Sequence, residues 1–246
     1  MMMKRLPHLV VFLLAGGLYL TGLLAPLERT LIDIRFRLLQ REATGDLVFV
    51  QIDAQSLRDL GVWPWPRDYH ANLIERLFAA GVREVALDID LSASSNADAD
   101  RAFARALERH GAQVILPAFR QPAAPGTGSQ EILDTTPLGV LREHAQIGAV
   151  NMTVDSDGLV RRALNGIVIE GKHHASMFTL LAGPAYLNRG AFLIDYAIDP
   201  WTIPRLSYSD VLRGAVAPDR LAGKRAIVGA GAAELGDNFS VPIHRS

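Results

Sequence analysis

Apolar and polar positions divide the chain into one long apolar start and a longer part in which strand and helix periodicities alternate. Residues 6–25 form 20 positions without a charged side chain. That length suffices to cross a bilayer core of about 30 Å. Lys4 and Arg5 precede the stretch, and positive flanks stay on the cytoplasmic side. The pattern therefore predicts a cytoplasmic start and transmembrane anchor over 1–26, with the rest of the chain outside the cell membrane. A cleaved signal peptide and a buried core helix are the competing readings. A shorter apolar region would suit the signal better, and Pro26 is a poor residue after a cleavage site. Leu27, Leu31, Ile34 and Leu38 then recur at helical spacing, with Arg29, Asp33, Arg37 and Arg41 opposite. A juxtamembrane amphipathic helix is expected within 27–45, continuing the anchor and lying against the soluble domain.

From residue 46 onward apolar strands alternate with helices. Strands are predicted over 47–53, 82–89, 112–117, 147–151, 160–169, 192–196 and 225–229. Helices are predicted over 68–80, 97–110, 138–145, 174–187 and 208–213. Gly81, Gly111 and Gly214 stand where three of them should stop. The stretch 120–129, with Pro122, Pro125, Gly126 and Gly128, reads as a mobile loop, and Gly183-Pro184 should distort the 174–187 helix. The order argues for an α/β fold with a mainly parallel sheet and helices on both faces. With no repeat and no linker, 46–246 reads as one extracytoplasmic domain.

Composition narrows the function. At 246 residues and 49% hydrophobic, the chain can bury a substantial core. A net charge of −1 and the lack of a basic run after residue 5 give no case for a nucleic-acid partner. The absence of cysteine rules out disulfide and thiolate chemistry.

Trp63-Pro64-Trp65-Pro66-Arg67 holds two of the three tryptophans. Each proline fixes its own φ and restricts the residue before it, so the segment is stiff. It reads as a rigid surface loop after the polar link 54–56. Two roles stay open: a brace with the indoles on the sheet edge and Arg67 paired to a strand-end acid, or the wall of a ligand crevice. Asp53, Asp88 and Asp90 lie at predicted strand ends, where ligands of parallel sheets bind. They could cap the following elements, touch a ligand, or hold Mg²⁺ or Ca²⁺. The candidate ligand-binding set is thus Asp53, Trp63, Trp65, Arg67, Asp88 and Asp90.

Other motifs carry less. Gly229-Ala230-Gly231 begins a dinucleotide-like loop, but Glu234 would repel a pyrophosphate, so a tight strand-to-helix turn is the reading. Asp155-Ser156-Asp157-Gly158 starts like a calcium loop without its later ligands and reads as a turn. His173-His174 reads as a solvated pair in a turn. Asn151-Met152-Thr153 and Asn238-Phe239-Ser240 match the glycosylation pattern. No nucleophile elbow, zinc motif or phosphate loop is present, so there is no positive case for catalysis and none for a cofactor.

The ordered motifs together resemble the second type of CHASE domain, an extracellular sensory domain associated with cyclases and histidine kinases. The resemblance rests on Ile52-Asp53, Ser56-Leu57, Leu60-Gly61, the Trp63 to Arg67 block, His70, Ala80-Gly81 and Asp88-Ile89. It continues through the 100–104 helix, 148–151, Asp155 to Gly158 with Arg161-Arg162, and Ser207-Tyr208. Val211-Leu212, Gly214, Leu221, Gly223-Lys224, Val228-Gly229, Leu235, Asp237, Phe239 and Pro242 complete it. It covers about 27–242 and implies a bacterial transmembrane receptor with a cytoplasmic cyclase, phosphodiesterase or kinase output lying outside this chain. The expected partners are a small-molecule or protein signal and a second copy in a homodimer. It transfers no catalytic residues. Such domains continue beyond the Pro242 position toward further membrane helices, so a C-terminally truncated domain is implied. Two other readings remain: a metal-dependent hydrolase using Asp53, Asp88 and Asp90, and a structural assembly module.

Overall fold

The structure, a computed structural model, describes residues 11–12, 15–17, 20–22, 24–123, 131–187, 190–231 and 240–243. The Asn238 pattern and most of the loop expected at 120–129 lie outside the described residues, as does the Gly229 turn beyond Gly231. Among the described residues no helix is long and apolar enough to cross a membrane. Most of the anchor predicted over 1–26 falls outside them.

The core is a seven-stranded sheet. Strands β1 (Leu47–Ile52), β2 (Glu84–Asp88) and β3 (Val114–Pro122) are joined by β5 (Gln146–Ala149), β11 (Arg205–Ser207) and β12 (Arg225–Ala230). All five pairings among these six are parallel: β11 with β1, β1 with β12, β12 with β2, β2 with β3, and β3 with β5. Strand β4 (Ile132–Thr135) pairs antiparallel with the far end of β3. The mainly parallel α/β reading therefore holds, and each predicted central strand is present within a few residues. Strands β4 and β11 were missed, being only four and three residues long.

Helices α2 (Ala54–Leu60), α3 (Arg67–Ala79), α4 (Ala97–His110), α5 (Gly139–Arg142) and α7 (Tyr208–Leu212) line one face. There Val48, Val50 and Ile52 of β1 join Leu73, Ile74 and Leu77 of α3 and Phe103 and Leu107 of α4 in the main core. Alternate residues of β2 and β3 point the other way, and Ala86 and Ile115 meet Met177 and Leu181 of α6 (Met177–Ala182). Among the described residues the opposite face is thus covered by one short helix and by the hairpin β8 (Gly166–Ile169) and β9 (Lys172–Ala175). Both belong to the single connection that returns from β5 to β11.

That return is where the predictions fail most. The strand expected over 160–169 is two strands in different sheets. Strand β7 (Arg162–Ala163) pairs with β6 (Met152–Thr153) and β10 (Phe192–Leu193), whereas β8 pairs with β9. The helix expected over 174–187 begins at Met177, capped by Ser176 Oγ accepting from the Thr179 backbone N–H. His173 and His174 lie in β9, not in a turn.

Local chemistry accounts for the helices of the main face. Asn96 Oδ1 accepts from the Ala99 N–H at 2.8 Å, while Asp98 and Asp100 stand in the first turn of α4 and Arg109 and His110 in the last. Both arrangements favour the helix dipole. At Gly111 an added Cβ would collide with the His144 carbonyl, so only glycine fits. The expected polar link at 54–56 is in fact the start of α2, because Asp53 Oδ1 accepts from the Ser56 N–H at 2.8 Å. Gly61 ends this helix at φ 88°.

Helix α1 (Ala25–Leu38) meets the rest of the described chain through Asp33 and Phe36, and not through the predicted apolar stripe. Leu27, Leu31, Ile34 and Leu38 are all exposed, whereas Phe36 is buried at 7%. Phe36 meets Tyr196 edge-on at 5.8 Å. The main fastening is Arg161, only 3% exposed. Its Nε and Nη2 donate to Asp33 Oδ1 and Oδ2 at 3.1 and 2.9 Å, and Nη1 donates to Asp155 and Asp157. The 155–158 segment is thus a turn, and its acids hold an arginine.

Candidate functional site

The stiff aromatic segment starts from α2. The Trp65 indole N–H donates to the Gly61 carbonyl at 3.0 Å, and the ring is buried at 3% exposure. It packs on Tyr208 with centroids 4.9 Å apart and on Trp63 at 5.0 Å. The indoles therefore continue the core rather than rest on a sheet edge. Pro66 precedes the first residue of α3, where its lack of an N–H is tolerated.

Arg67 opens α3 and is 5% exposed. Its Nη1 donates to Asp100 Oδ1 at 3.0 Å and its Nη2 to the Ala93 carbonyl. The brace reading identified an acid partner for Arg67, but the wrong one: the partner is Asp100 in the first turn of α4. Asp100 is nearly as buried, and it also accepts from Ser94 Oγ at 2.8 Å and from the Ser95 N–H. Arg67 thus has two acceptors and Asp100 three donors, the kind of additional hydrogen bonding a buried ion pair needs to hold its geometry. It fixes the 89–96 segment against the aromatic one.

Between these segments lies a cleft of about 370 Å³, lined by Trp63, Pro64, Trp65, Arg67 and His70 on one side. Ile89, Asp90, Leu91, Ala93, Ser94 and Ser95 form the other. Four of the six sequence candidates, Trp63, Trp65, Arg67 and Asp90, thus meet in one place. Asp53 and Asp88 do not line it. Asp53 is held at the end of β1 by the Ser56 N–H, Ser56 Oγ at 2.6 Å and Ser207 Oγ at 3.0 Å. Among the described residues no group of three acids or histidines could hold a metal ion. The proposed Asp53, Asp88 and Asp90 cation set is therefore not assembled, because the first acid caps a helix away from the cleft.

Sequence reasoning passed over His70, Ser94, Ser95 and Asp100 as site residues. His70 is 2% exposed, and its Nδ1 lies 2.7 Å from the Tyr208 hydroxyl. Burial, aided by the nearby Arg67 charge, lowers its pKa to about 4, so the ring is neutral at pH 7. The signal available was the spacing alone: His70 follows Arg67 by three residues, so the two project from neighbouring positions of one helix face. Asp100 could not be singled out, because first-turn acids ordinarily serve the helix dipole.

The cleft is suited to binding. Indole and proline surfaces take apolar or planar groups, and the exposed Asp90, whose Oδ1 accepts the Ser92 N–H at 2.9 Å, can accept from a ligand donor. Ser94 Oγ donates to Asp100 and His70 Nδ1 faces Tyr208, so neither forms a serine–histidine pair. The fold is thus a mainly parallel α/β sheet with a cleft at the carboxyl end of β2. The CHASE2 domain model matches residues 9–246, and the chain belongs to that family, whose members are extracellular sensory domains. No curated protein and no solved structure matches the chain.

Proposed function

We propose that the chain is the extracytoplasmic sensory part of a bacterial transmembrane receptor and that the Trp63–Asp90 cleft receives its signal. The observation carrying this reading is that the most sequence-distinctive segment forms one wall of the cleft, while Arg67 locks it to the other. A small molecule with a planar or apolar body and a donor facing Asp90 suits these walls. Residues 1–26 anchor the chain in the inner membrane, with Lys4 and Arg5 on the cytoplasmic side. Two copies associate through α1, whose exposed Leu27, Leu31, Ile34 and Leu38 are spaced by four, three and four residues, the seam of a two-stranded coil. Ligand closure of the cleft would shift the domain against α1 at the Arg161–Asp33 joint, biasing a cyclase, phosphodiesterase or kinase output.

Alkaline phosphatase fused after Val150 should be active in the periplasm; an active fluorescent-protein fusion in the cytoplasm at the same point would end the reading. With the chain placed ahead of a cyclase, Asp90→Asn should alter cyclase output without changing the melting temperature. Unaltered output would remove the cleft from the proposal while leaving the topology in place.

A further inference from the structure

A second cleft, of about 430 Å³, lies on the side of the sheet away from α3 and α4, lined by Asn165, Phe178, Thr179, Ala182, Tyr186 and Phe192. Helix α6 turns Met177 and Leu181 toward the sheet, which leaves Phe178 and Ala182, one turn apart, for the cleft. Phe178, Tyr186 and Phe192 are 38%, 44% and 37% exposed. Isolated exposed rings need no explanation, but three converging on one concavity mark a binding surface.

The second observation concerns Asn165, which is 92% buried (8% exposed). Its Oδ1 accepts from Thr179 Oγ1 at 3.1 Å, and Thr179 is held in turn by Ser176 Oγ at 2.8 Å. Asn165 Nδ2 has no partner among the described residues and is the only such buried side-chain atom there. Turning the amide over would only exchange which of its two polar atoms is left unpaired, since Thr179 Oγ1 satisfies one. A buried amide donor left unpaired destabilises the fold unless something occupies it. Among the described residues no charged side chain lines the cleft, which suits an uncharged occupant.

We propose that this cleft binds a small uncharged ring compound whose carbonyl oxygen accepts from Asn165 Nδ2 and whose ring packs among Phe178, Tyr186 and Phe192. The site is independent of the Trp63–Asp90 cleft. Its volume is in the range of ordinary small-molecule sites.

Acetophenone and ethylbenzene, which share the ring and differ in the carbonyl, are titrated into the full chain in detergent micelles. Side-chain amide resonances are followed by heteronuclear NMR. Acetophenone should produce saturable shifts at the Asn165 side-chain amide and bind roughly tenfold tighter than ethylbenzene. Asn165→Leu should bring the two affinities together. Should that variant fail to fold, Phe192→Ala, at the exposed rim and outside the hydrogen-bond chain, should weaken acetophenone binding several-fold. The absence of saturable acetophenone shifts would overturn the site. So would equal affinities for the two probes in the native chain, or a preference that survives Asn165→Leu. Unchanged acetophenone binding in Phe192→Ala would do the same.

Discussion

Helices α1 and α3 carry the same amphipathic signal and use it in opposite ways. In α3 the apolar positions Leu73, Ile74 and Leu77 are each fully buried in the main core. In α1 Leu27, Leu31, Ile34 and Leu38 are 57%, 57%, 44% and 76% exposed, and the polar side carries the docking. One helix is held by a broad apolar face, the other by ion pairs around Arg161 and the single buried ring of Phe36. A periodic pattern states that a helix has an apolar face; it does not state what that face meets. An apolar stripe left outside while charges are used inside is the arrangement expected of an element that has a partner beyond its own domain.

The contrast can be broken most severely at the N-terminus of α3. Arg67→Ala leaves Asp100 buried without its counter-charge and should cost about 3–5 kcal/mol in urea unfolding. Loss below about 1 kcal/mol would mean that the pair is solvated and the brace unnecessary. Leu73→Ala, in the buried face of the same helix, should cost about 2–5 kcal/mol.

Acid sharpens the same difference. The folded-state pKa of His70 is about 4, below its ordinary value of 6.5. As the pH falls, the unfolded chain takes up this proton first, so stability is fully present above pH 6.5 and declines between 6.5 and 4. The loss amounts to about 3 kcal/mol at most. His70→Phe should flatten that part of the stability–pH curve; an unchanged slope would assign the acid sensitivity to other groups.

The α1 substitutions have smaller expected effects. Asp33→Asn weakens two charge-assisted bonds to Arg161, and should cost about 1–2 kcal/mol while raising hydrogen exchange across 25–38. Leu31→Ala should change unfolding of the isolated protomer by less than about 0.5 kcal/mol yet weaken association of two copies. If it destabilises the protomer as strongly as Leu73→Ala does, the stripe is packed and the contrast between the two helices disappears.

Much of the fold is legible in the sequence. Helix α4 was predicted at its observed bounds because Asn96, the acidic first turn, the basic last turn and Gly111 all agree with the apolar periodicity. The central strands were legible because strands covered on both sides read as apolar runs. Helix α2 was missed because its seven residues begin with Ala54-Gln55-Ser56, a polar group whose helical start depends on the Asp53 cap. The split near Asn165 was invisible because 160–169 reads as one continuous strand, and only pairing partners distant in sequence separate its halves. For the cleft, stiffness and aromatic content singled out Trp63 and Trp65. Arg67's partner lay 33 residues further on, among several equivalent acids.

The sequence by itself determined the alternation of strands and helices, the positions where helices start and stop, and the stiffness of the Trp63–Arg67 block. These follow from backbone geometry, side-chain period and capping, which act over a few residues. Tertiary structure alone decided that Arg67 meets Asp100, that Arg161 gathers Asp33 with Asp155 and Asp157, and that Asn165 has a donor without a partner among the described residues, beside three aromatic rings. Each of those outcomes depends on which distant groups share a buried space, where an unpaired charge or donor is costly. Local pattern carries no information about that sharing, so the same amphipathic stripe could be a core face in α3 and an outward one in α1.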